Sequence, residues 1–212
     1  MRLFLASRLS APNRHFFSKA IAGLIEASQG AVRPVPRDSE HLTHLFLGAK
    51  SRRSVEKILT ILAPTSEHPR FPICLGRTSV LYGRAGPRLV YAELVEGASH
   101  LSALAETMRQ RLEAEFPELA GLRLKMPHVT LARFRRGATR RDGRVAETLL
   151  EDSSLAEARR HDRVEKIELI SSVLTDAGPI YETVGEIVLG TGVVRGLAGG
   201  MRRPLENDAA GP

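Results

Sequence analysis

The sequence predicts an α+β fold built from two similar lobes. Its 212 residues alternate between strand-like and helix-like hydrophobic patterns, and a strand, a helix and a second strand recur in that order at 2–48 and at 88–134. The second strand of each copy carries a histidine two positions before a threonine, and the two histidines are 87 positions apart. We therefore expect one domain over residues 1–195, with two lobes that could face one another, and a C-terminal tail at 196–212.

Period-two and helical patterns define the individual elements. The predicted strands lie at 2–9, 41–48, 71–75, 79–82, 88–95, 125–134, 164–174 and 180–189. The predicted helices lie at about 17–27, 52–63 and 99–114, and the third turns Leu101, Leu104, Ala105, Met108 and Leu112 inward. AVRPVP at 31–36 is at most extended, because Pro34 and Pro36 exclude a central strand. Residues 196–212 lack periodicity, which favours a disordered tail.

Composition and charge limit the classes of protein to consider. The chain has 31 basic and 24 acidic residues and a net charge of +7, which favours a polyanionic partner such as nucleic acid. Cys74 is the single cysteine, so an internal disulfide is impossible and a reducing, cytoplasmic compartment is expected. No run of about 18 uncharged apolar residues occurs, so we expect no membrane association.

The two motifs, HLT at 41–43 and HVT at 128–130, are the chief functional signal. Seven histidines and eleven threonines among 212 residues give about 0.36 histidine-x-threonine matches by chance, so the spacing alone is modest support. The context strengthens it, because both copies have an aliphatic middle residue and end an equivalent strand-helix unit. Side chains alternate along a strand, so His41 and Thr43 share one face, as do His128 and Thr130.

These segments resemble the two-histidine (2H) phosphoesterase superfamily, and within it the RNA 2′,3′-cyclic phosphodiesterases, also called 2′-5′ RNA ligases. The similar segments are MRLFLA, HLTHLFLG, PHVTLARFR and IELISSVLTDAGPIYETVGEIVLG, the last with Tyr181. The resemblance implies a bilobal fold in which two antiparallel sheets, in lobes related by a pseudo-twofold axis, flank a central cleft. It also implies that His41 is the proton donor and His128 the proton acceptor. The chain departs from the family at His44, usually aliphatic, and at Pro34, often tryptophan.

The chemistry of the motifs can also be argued from the residues themselves. Opening a cyclic phosphodiester needs an activated water on one side of phosphorus and a proton for the leaving ribose oxygen on the other. One neutral and one protonated imidazole supply both, because the pKa of histidine lies near neutrality. Thr43 and Thr130 would donate hydrogen bonds to the non-bridging oxygens. This chemistry requires no metal and no cofactor, and the residues alone do not decide which histidine is the acid.

Two further features have competing interpretations. His44 is expected on the face opposite His41, with Leu42 and Phe46, as a hydrogen-bonded rather than a catalytic histidine. Six arginines follow the second motif: Arg133, Arg135, Arg136, Arg140, Arg141 and Arg144. They could bind RNA phosphates or form a solvated basic loop, and both interpretations stay open. Arg133 is a candidate substrate-binding residue because it lies nearest to Thr130, although strict alternation places it on the far face.

The sequence therefore predicts a metal-independent hydrolase that opens RNA 2′,3′-cyclic phosphate termini, on tRNA or other RNA, to 2′-phosphate ends. The resemblance also implies reverse 2′-5′ ligation when a 5′-hydroxyl end replaces water. A monomer without cofactor is expected. Two alternatives are a hydrolase of another cyclic or 2′-5′-linked nucleotide and a non-catalytic module that binds RNA ends. Turnover separates the enzymes from the binding module.

Overall fold

The computed structural model describes residues 1–36, 39–122, 126–175 and 178–197, which contain ten β-strands, four α-helices and two short 3-10 helices, Ala63–Glu67 and Pro117–Leu119. The strands are β1 (Arg2–Arg8), β2 (Val32–Pro34), β3 (His41–Ala49), β4 (Phe71–Gly83), β5 (Gly86–Glu96), β6 (His128–Phe134), β7 (Arg160–Val164), β8 (Lys166–Thr175), β9 (Gly178–Val188) and β10 (Val193–Gly196). The helices are α1 (Ala11–Ala27), α2 (Ser54–Leu62), α3 (Ala98–Glu113) and α4 (Arg140–Glu151). The predicted tail lies outside the described residues from 198 onward.

The strands form an antiparallel sheet of two similar halves. Their order is β10-β9-β8-β1-β3-β6-β5-β4-β7, and β2 pairs with β6 beside this path. In one half β1 pairs with the first motif strand β3, and in the other β5 pairs with the second motif strand β6. The halves meet where Leu42 of β3 pairs with Val129 of β6. The predicted α+β fold is confirmed, but the two expected sheets are joined at this pair into one ten-stranded sheet.

Each of the two long helices covers the half of the sheet that contains the other motif. α1 follows β1 but packs against β2, β6 and α4, and Asn13 Nδ2 donates to the His161 carbonyl at 2.9 Å. α3 follows β5 but packs against β3 and α2 as well as β5, and Arg111 donates to Thr65 Oγ1 at 3.2 Å. The two halves are therefore interlocked, because each depends on the opposite repeat for a helical cover.

A shared hydrophobic core lies between the helices and the sheet. The five residues predicted to point inward from α3 are all buried, and so are Phe17, Ile21 and Leu24 of α1. Burying a side chain of this size stabilises the fold by roughly 1.5–3 kcal/mol. A smaller cluster of Phe4, Ala6 and Ile170 contacts Tyr181. The helical spacing read from the sequence therefore predicted the buried faces correctly.

Several element boundaries differ from the sequence prediction. α1 begins at Ala11, about six residues early, because its polar first turn contacts β7, where the Ser10 amide donates to Asp162 Oδ2 at 2.8 Å. The strands predicted at 71–75 and 79–82 are one strand, β4, with an irregular register between Leu75 and Thr78. Such an irregularity interrupts the alternation of apolar residues from which strands are recognised.

One α-helix and two β-strands were not predicted at all. α4 occupies part of the arginine-rich segment, and its N-terminus is closed by reciprocal hydrogen bonds between Thr139 and Asp142. This capping box is a recognisable helix signal that the dense charge obscured. β7 is a short edge strand of mainly polar residues, and β10 pairs with β9 in a stretch between the last predicted strand and the predicted tail. The predicted domain end at 195 thus falls inside β10, which continues to Gly196.

Candidate active site

Both histidine-threonine motifs line one cleft of about 550 Å³ at the junction of β3 and β6. His41, Thr43, His128 and Thr130 are partly exposed to it. The residues between them, Leu42 and Val129, are buried in the core at 1% and 0% exposure. The alternation argued from the sequence therefore brings all four motif side chains to one cavity, with the aliphatic residues on the opposite face.

The two imidazoles are oriented in the same way. Nδ1 of His41 is hydrogen-bonded to the carbonyl of Ser39, and Nδ1 of His128 to the carbonyl of Met126 at 2.9 Å. A carbonyl oxygen only accepts, so Nδ1 carries the proton in both rings. In the neutral form of each ring, Nε2 therefore has a lone pair and can accept a proton. Once Nε2 is protonated, it can donate that proton. Both motifs are thus prepared for proton transfer through Nε2.

Aromatic side chains hold both imidazoles in place. Tyr181 lies edge-on to His41, with ring centroids 5.7 Å apart, and Phe4 contacts the same ring at 5.2 Å. Tyr91 lies edge-on to His128 at 5.5 Å. Edge-to-face contacts of this kind restrict the ring without consuming its polar nitrogens. Tyr181 was indicated by the resemblance, whereas Tyr91 had no sequence signal beyond its place in a strand.

A bulge follows the threonine of each motif. In the register of β1 with β3, His44 is left without a partner, and Leu131 is left without one between β5 and β6. An extra residue in one strand reverses the alternation beyond it. Phe46 and Arg133 therefore return to the cleft face, and both line the cleft. The expected position of Phe46 on the far face is wrong, and strict alternation misplaces Arg133 for the same reason.

The environment of His41 favours its neutral form. The pKa of His41 is lowered from 6.5 to about 4, mainly by burial and to a smaller extent by the cationic Arg8 and Arg133. The Ser39 carbonyl and the Glu168 carboxylate act in the opposite direction. Because desolvation penalises the charged imidazole, His41 is neutral at pH 7 in the unliganded protein.

Arg8 and Glu168 form an ion pair beside His41 that the sequence did not reveal. Arg8 Nε lies 2.6 Å from Glu168 Oε2, whose side chain is 4% exposed, and Arg8 Nη2 donates to Thr183 Oγ1 at 3.1 Å. Arg8 lines a smaller cavity of about 230 Å³ that shares His41 and Tyr181 with the cleft. The two partners are 160 positions apart, so no local pattern could have joined them.

His44 is buried at 5% exposure and is hydrogen-bonded as expected. Ser7 Oγ donates its proton to the Lys166 carbonyl at 2.6 Å, so it accepts from His44 Nε2 at 2.8 Å. Burial, followed by the proximity of His41, lowers the pKa of His44 to about 3. His44 is therefore a neutral structural histidine at pH 7.

The arginine-rich segment is divided among several elements. Arg133 lies in the cleft, Arg135 and Arg136 follow β6, and Arg140, Arg141 and Arg144 belong to α4. It is thus not one solvated loop.

Cys74, Glu96 and His161 form the one group of described residues with spacing suited to a metal, their ligand atoms lying within 4.8 Å of one another. None of the three lines the cleft. Among the described residues, no helix has both the length and the apolar character needed to span a membrane.

Comparison with known proteins places this geometry in a family. The chain is 32% identical over 156 residues to an RNA 2′,3′-cyclic phosphodiesterase of Aquifex aeolicus, which covers 71% of this chain and 78% of that protein. It is 26% identical over 199 residues to an RNA 2′,3′-cyclic phosphodiesterase of Thermotoga maritima, covering 92% and 99%. No protein-family model matches the chain.

Solved structures share the fold. TT0787 of Thermus thermophilus aligns with a TM-score of 0.65 at 26% identity, over 90% of this chain and 98% of that one. E. coli LigT complexed with NADP+ aligns with a TM-score of 0.63 at 23% identity, over 90% and 98%. The fold and the paired motifs around one cleft define a two-histidine phosphoesterase. Within this class, the chain belongs to the RNA 2′,3′-cyclic phosphodiesterase family.

Proposed function

We propose that the protein hydrolyses 2′,3′-cyclic phosphate termini of RNA to 2′-phosphate ends. The observation that carries this proposal is the equivalent orientation of His41 and His128, each with Nδ1 on a carbonyl two residues earlier and both lining one cleft. Names of the relatives support the substrate class. A pair of imidazoles with available Nε2 atoms suits a reaction in which one proton is removed from the attacking water and another is given to the leaving oxygen.

His128 and His41 divide the proton transfers. His128 Nε2 removes a proton from water as the water oxygen bonds to phosphorus, and the bond from phosphorus to the ribose 3′-oxygen breaks. His41 Nε2 gives its proton to that leaving oxygen, which remains on the ribose as a hydroxyl. Thr43 and Thr130 donate hydrogen bonds to the non-bridging oxygens, where charge accumulates in the transition state. Exchange with solvent then restores both protonation states.

Substrate binding is proposed to supply the proton on His41. The pKa of His41 is about 4 in the unliganded protein, mainly because of burial, so the imidazole needs a nearby anion to become protonated at pH 7. A bound phosphodiester provides that anion and raises the pKa of His41. Arg133 contributes a permanent positive charge for the same phosphate. Binding of the substrate and protonation of His41, the general acid, are therefore coupled.

The reaction is proposed to be independent of metal, since the two imidazoles and two hydroxyls provide every proton transfer and phosphate contact that it needs. The test is hydrolysis of a cyclic-phosphate nucleotide in the presence of EDTA, with identification of the product as a 2′-phosphate. We expect turnover to persist with a bell-shaped pH profile. Loss of activity with chelator and its recovery with zinc or manganese would contradict the mechanism.

The finer properties of the protein are proposed on the same basis. Reverse 2′-5′ ligation is expected when an RNA 5′-hydroxyl occupies the position of the water. We also propose that the substrate is tRNA or another RNA with a cyclic end, and that the protein is a cytoplasmic monomer with a single domain that includes β10. The same site could hydrolyse another cyclic or 2′-5′-linked nucleotide, and a panel of such substrates would show it. Retention of RNA ends without product release would indicate a binding module instead.

A further inference from the structure

A third cavity adjoins the cleft at the β4-β5 turn. It has a volume of about 470 Å³ and lies between that turn and the segment after β6. Its charged lining consists of Arg84, Arg88, Arg135 and Arg136. Arg88 also lines the catalytic cleft, so the two cavities meet at this side chain. We call this cavity, which is lined by Arg84, Arg88, Arg135 and Arg136, the arginine groove.

The walls of the arginine groove are fixed against each other. Gly86 in the β4-β5 turn has φ +136°, and a Cβ at this position would lie 2.8 Å from the Ala138 carbonyl oxygen. Only glycine therefore allows this close approach without strain. On the other wall, the Arg135 amide donates to the Ala31 carbonyl at 2.9 Å, which ties the segment to the start of β2. The arginines are thus carried by positioned backbone.

The arginines of the groove are not held in ion pairs by the described residues. None of its four guanidinium groups forms an ion pair with a described acidic residue within 4.0 Å. Asp142 is near enough to Arg135 for that arginine to contribute to lowering its pKa, but its carboxylate is hydrogen-bonded to Thr139 at the N-terminus of α4 and forms no ion pair with Arg135 within 4.0 Å. Guanidinium groups with open donors bind phosphate oxygens well, because the planar fork matches two oxygens at once.

We propose that the arginine groove binds the backbone phosphates of single-stranded RNA on the 5′ side of the cyclic phosphate. This inference rests on the proposed function, which places the 3′ terminus of the RNA in the cleft. The chain can then leave the cleft only in the 5′ direction, and Arg88 lies at the point where one cavity continues into the other. The groove makes the enzyme selective for oligonucleotides over mononucleotides without contact to the bases.

The test compares two triple variants with three arginines removed from each. Arg84→Ser/Arg135→Ser/Arg136→Ser removes groove charge and leaves Arg88 and Arg133 in place. Arg52→Ser/Arg53→Ser/Arg195→Ser removes the same charge from exposed positions outside both cavities. The readouts are kcat/KM for a hexanucleotide with a cyclic end and for a cyclic mononucleotide, at several salt concentrations. Fluorescence anisotropy measures binding of a hexanucleotide that ends in 2′-phosphate, and a melting curve verifies folding.

The groove variant should lose about 10- to 100-fold in kcat/KM for the hexanucleotide, mainly through KM, and the salt slope of binding should fall by about 2. The mononucleotide is the internal reference, and the control variant should resemble the wild type with both substrates. Equal losses in the two variants, or unchanged binding in the groove variant, would overturn the inference. Failure of the wild type to hydrolyse either substrate would refute the proposed function, while anisotropy would still decide whether the groove binds RNA.

Discussion

Leu42 pairs with Val129 at the junction of the two halves of the sheet, and this pair lies at the centre of the two motifs. Because the strands are antiparallel, the residue before Leu42 lies on the side of the residue after Val129. His41 is thus placed toward Thr130, and Thr43 toward His128. A phosphate held between the strands would therefore contact His41 and Thr130 on one side, and Thr43 and His128 on the other. The arrangement is determined by backbone pairing between two strands.

Replacing either motif histidine with alanine should lower the rate by about 10² to 10⁴, because one proton transfer is lost. The roles are distinguished by a cyclic phosphodiester whose leaving group needs no proton. On this substrate His41→Ala should recover much of its activity, whereas His128→Ala should remain slow. Rescue of His128→Ala alone would exchange the roles. Full activity of both variants on both substrates would mean that the pair is not catalytic.

Replacing a motif threonine with valine should have a smaller effect than removing a histidine. Thr43→Val or Thr130→Val deletes one hydrogen bond to a charged phosphate, which costs about 1.5–3 kcal/mol, or roughly 10- to 100-fold in kcat/KM. His44→Leu restores the aliphatic residue that is usual in the family. It serves as the control because the His44 imidazole is hydrogen-bonded to Ser7 and takes no part in the proposed proton transfers. Its turnover should match the wild type. A threonine variant as slow as a histidine variant would require a larger role for the hydroxyl.

Removing Arg133 should weaken anion binding and raise the pKa of His41. The pKa of His41 is about 4 chiefly because of burial, and the positive charge of Arg133 contributes to its lowering. Arg133→Ala should therefore shift the NMR titration of His41 to higher pH and increase the Kd for inorganic phosphate by roughly 10-fold or more. Arg133→Lys should keep most of the pKa effect because it keeps the charge. A His41 titration at lower pH in Arg133→Ala would contradict the assigned electrostatics.

His44 should make the folded state sensitive to acid. Its pKa is about 3 in the folded protein because it is buried, against 6.5 in the unfolded chain. Between these values the unfolded state binds more protons, so this contribution to stability is complete above pH 6.5 and is lost as the pH falls toward 3. The loss reaches about 1.4 kcal/mol per pH unit. Denaturant unfolding at several pH values should show a shallower acid dependence for His44→Leu.

The exposed His15→Ala provides a matched control for that measurement, since it removes an imidazole from the surface of α1. Its free energy of unfolding should follow the wild-type pH dependence. An acid dependence in His44→Leu as steep as that of the wild type would assign the sensitivity to other groups.

The sequence was sufficient to locate the motifs, because alternation within His41–Thr43 and within His128–Thr130 depends on only three residues. The sequence was insufficient to predict the next residue of each strand, where a bulge reverses the alternation. The bulges at His44 and Leu131 arise from pairing with β1 and β5, and no feature of β3 or β6 alone marks them. The position of Arg133 is therefore a property of two paired strands, which explains why periodicity within one strand misplaced it.

Long-range contacts account for most of the remaining differences. The first turn of α1 is defined by Asp162, and the ion pair beside His41 joins Arg8 to Glu168. β10 forms because β9 offers an edge, although its four residues have little pattern of their own. Helix α4 is the exception, since Thr139 and Asp142 form a local capping signal. Local sequence thus predicted elements with an apolar face and missed those that depend on a distant partner.

The exchange of helices between the two repeats has a consequence for biosynthesis. α1 is complete within the first 27 residues, and of the elements that it packs against only β2 follows directly, whereas β6 and α4 begin at His128 and Arg140. During synthesis the apolar face of α1, with Phe17 and Ile21, therefore lacks its β6 contacts until more than 100 further residues have been added. Such non-local contacts slow folding and leave apolar surface open to association. The apolar surface of the N-terminal segment accordingly stays exposed until the second repeat has been synthesised.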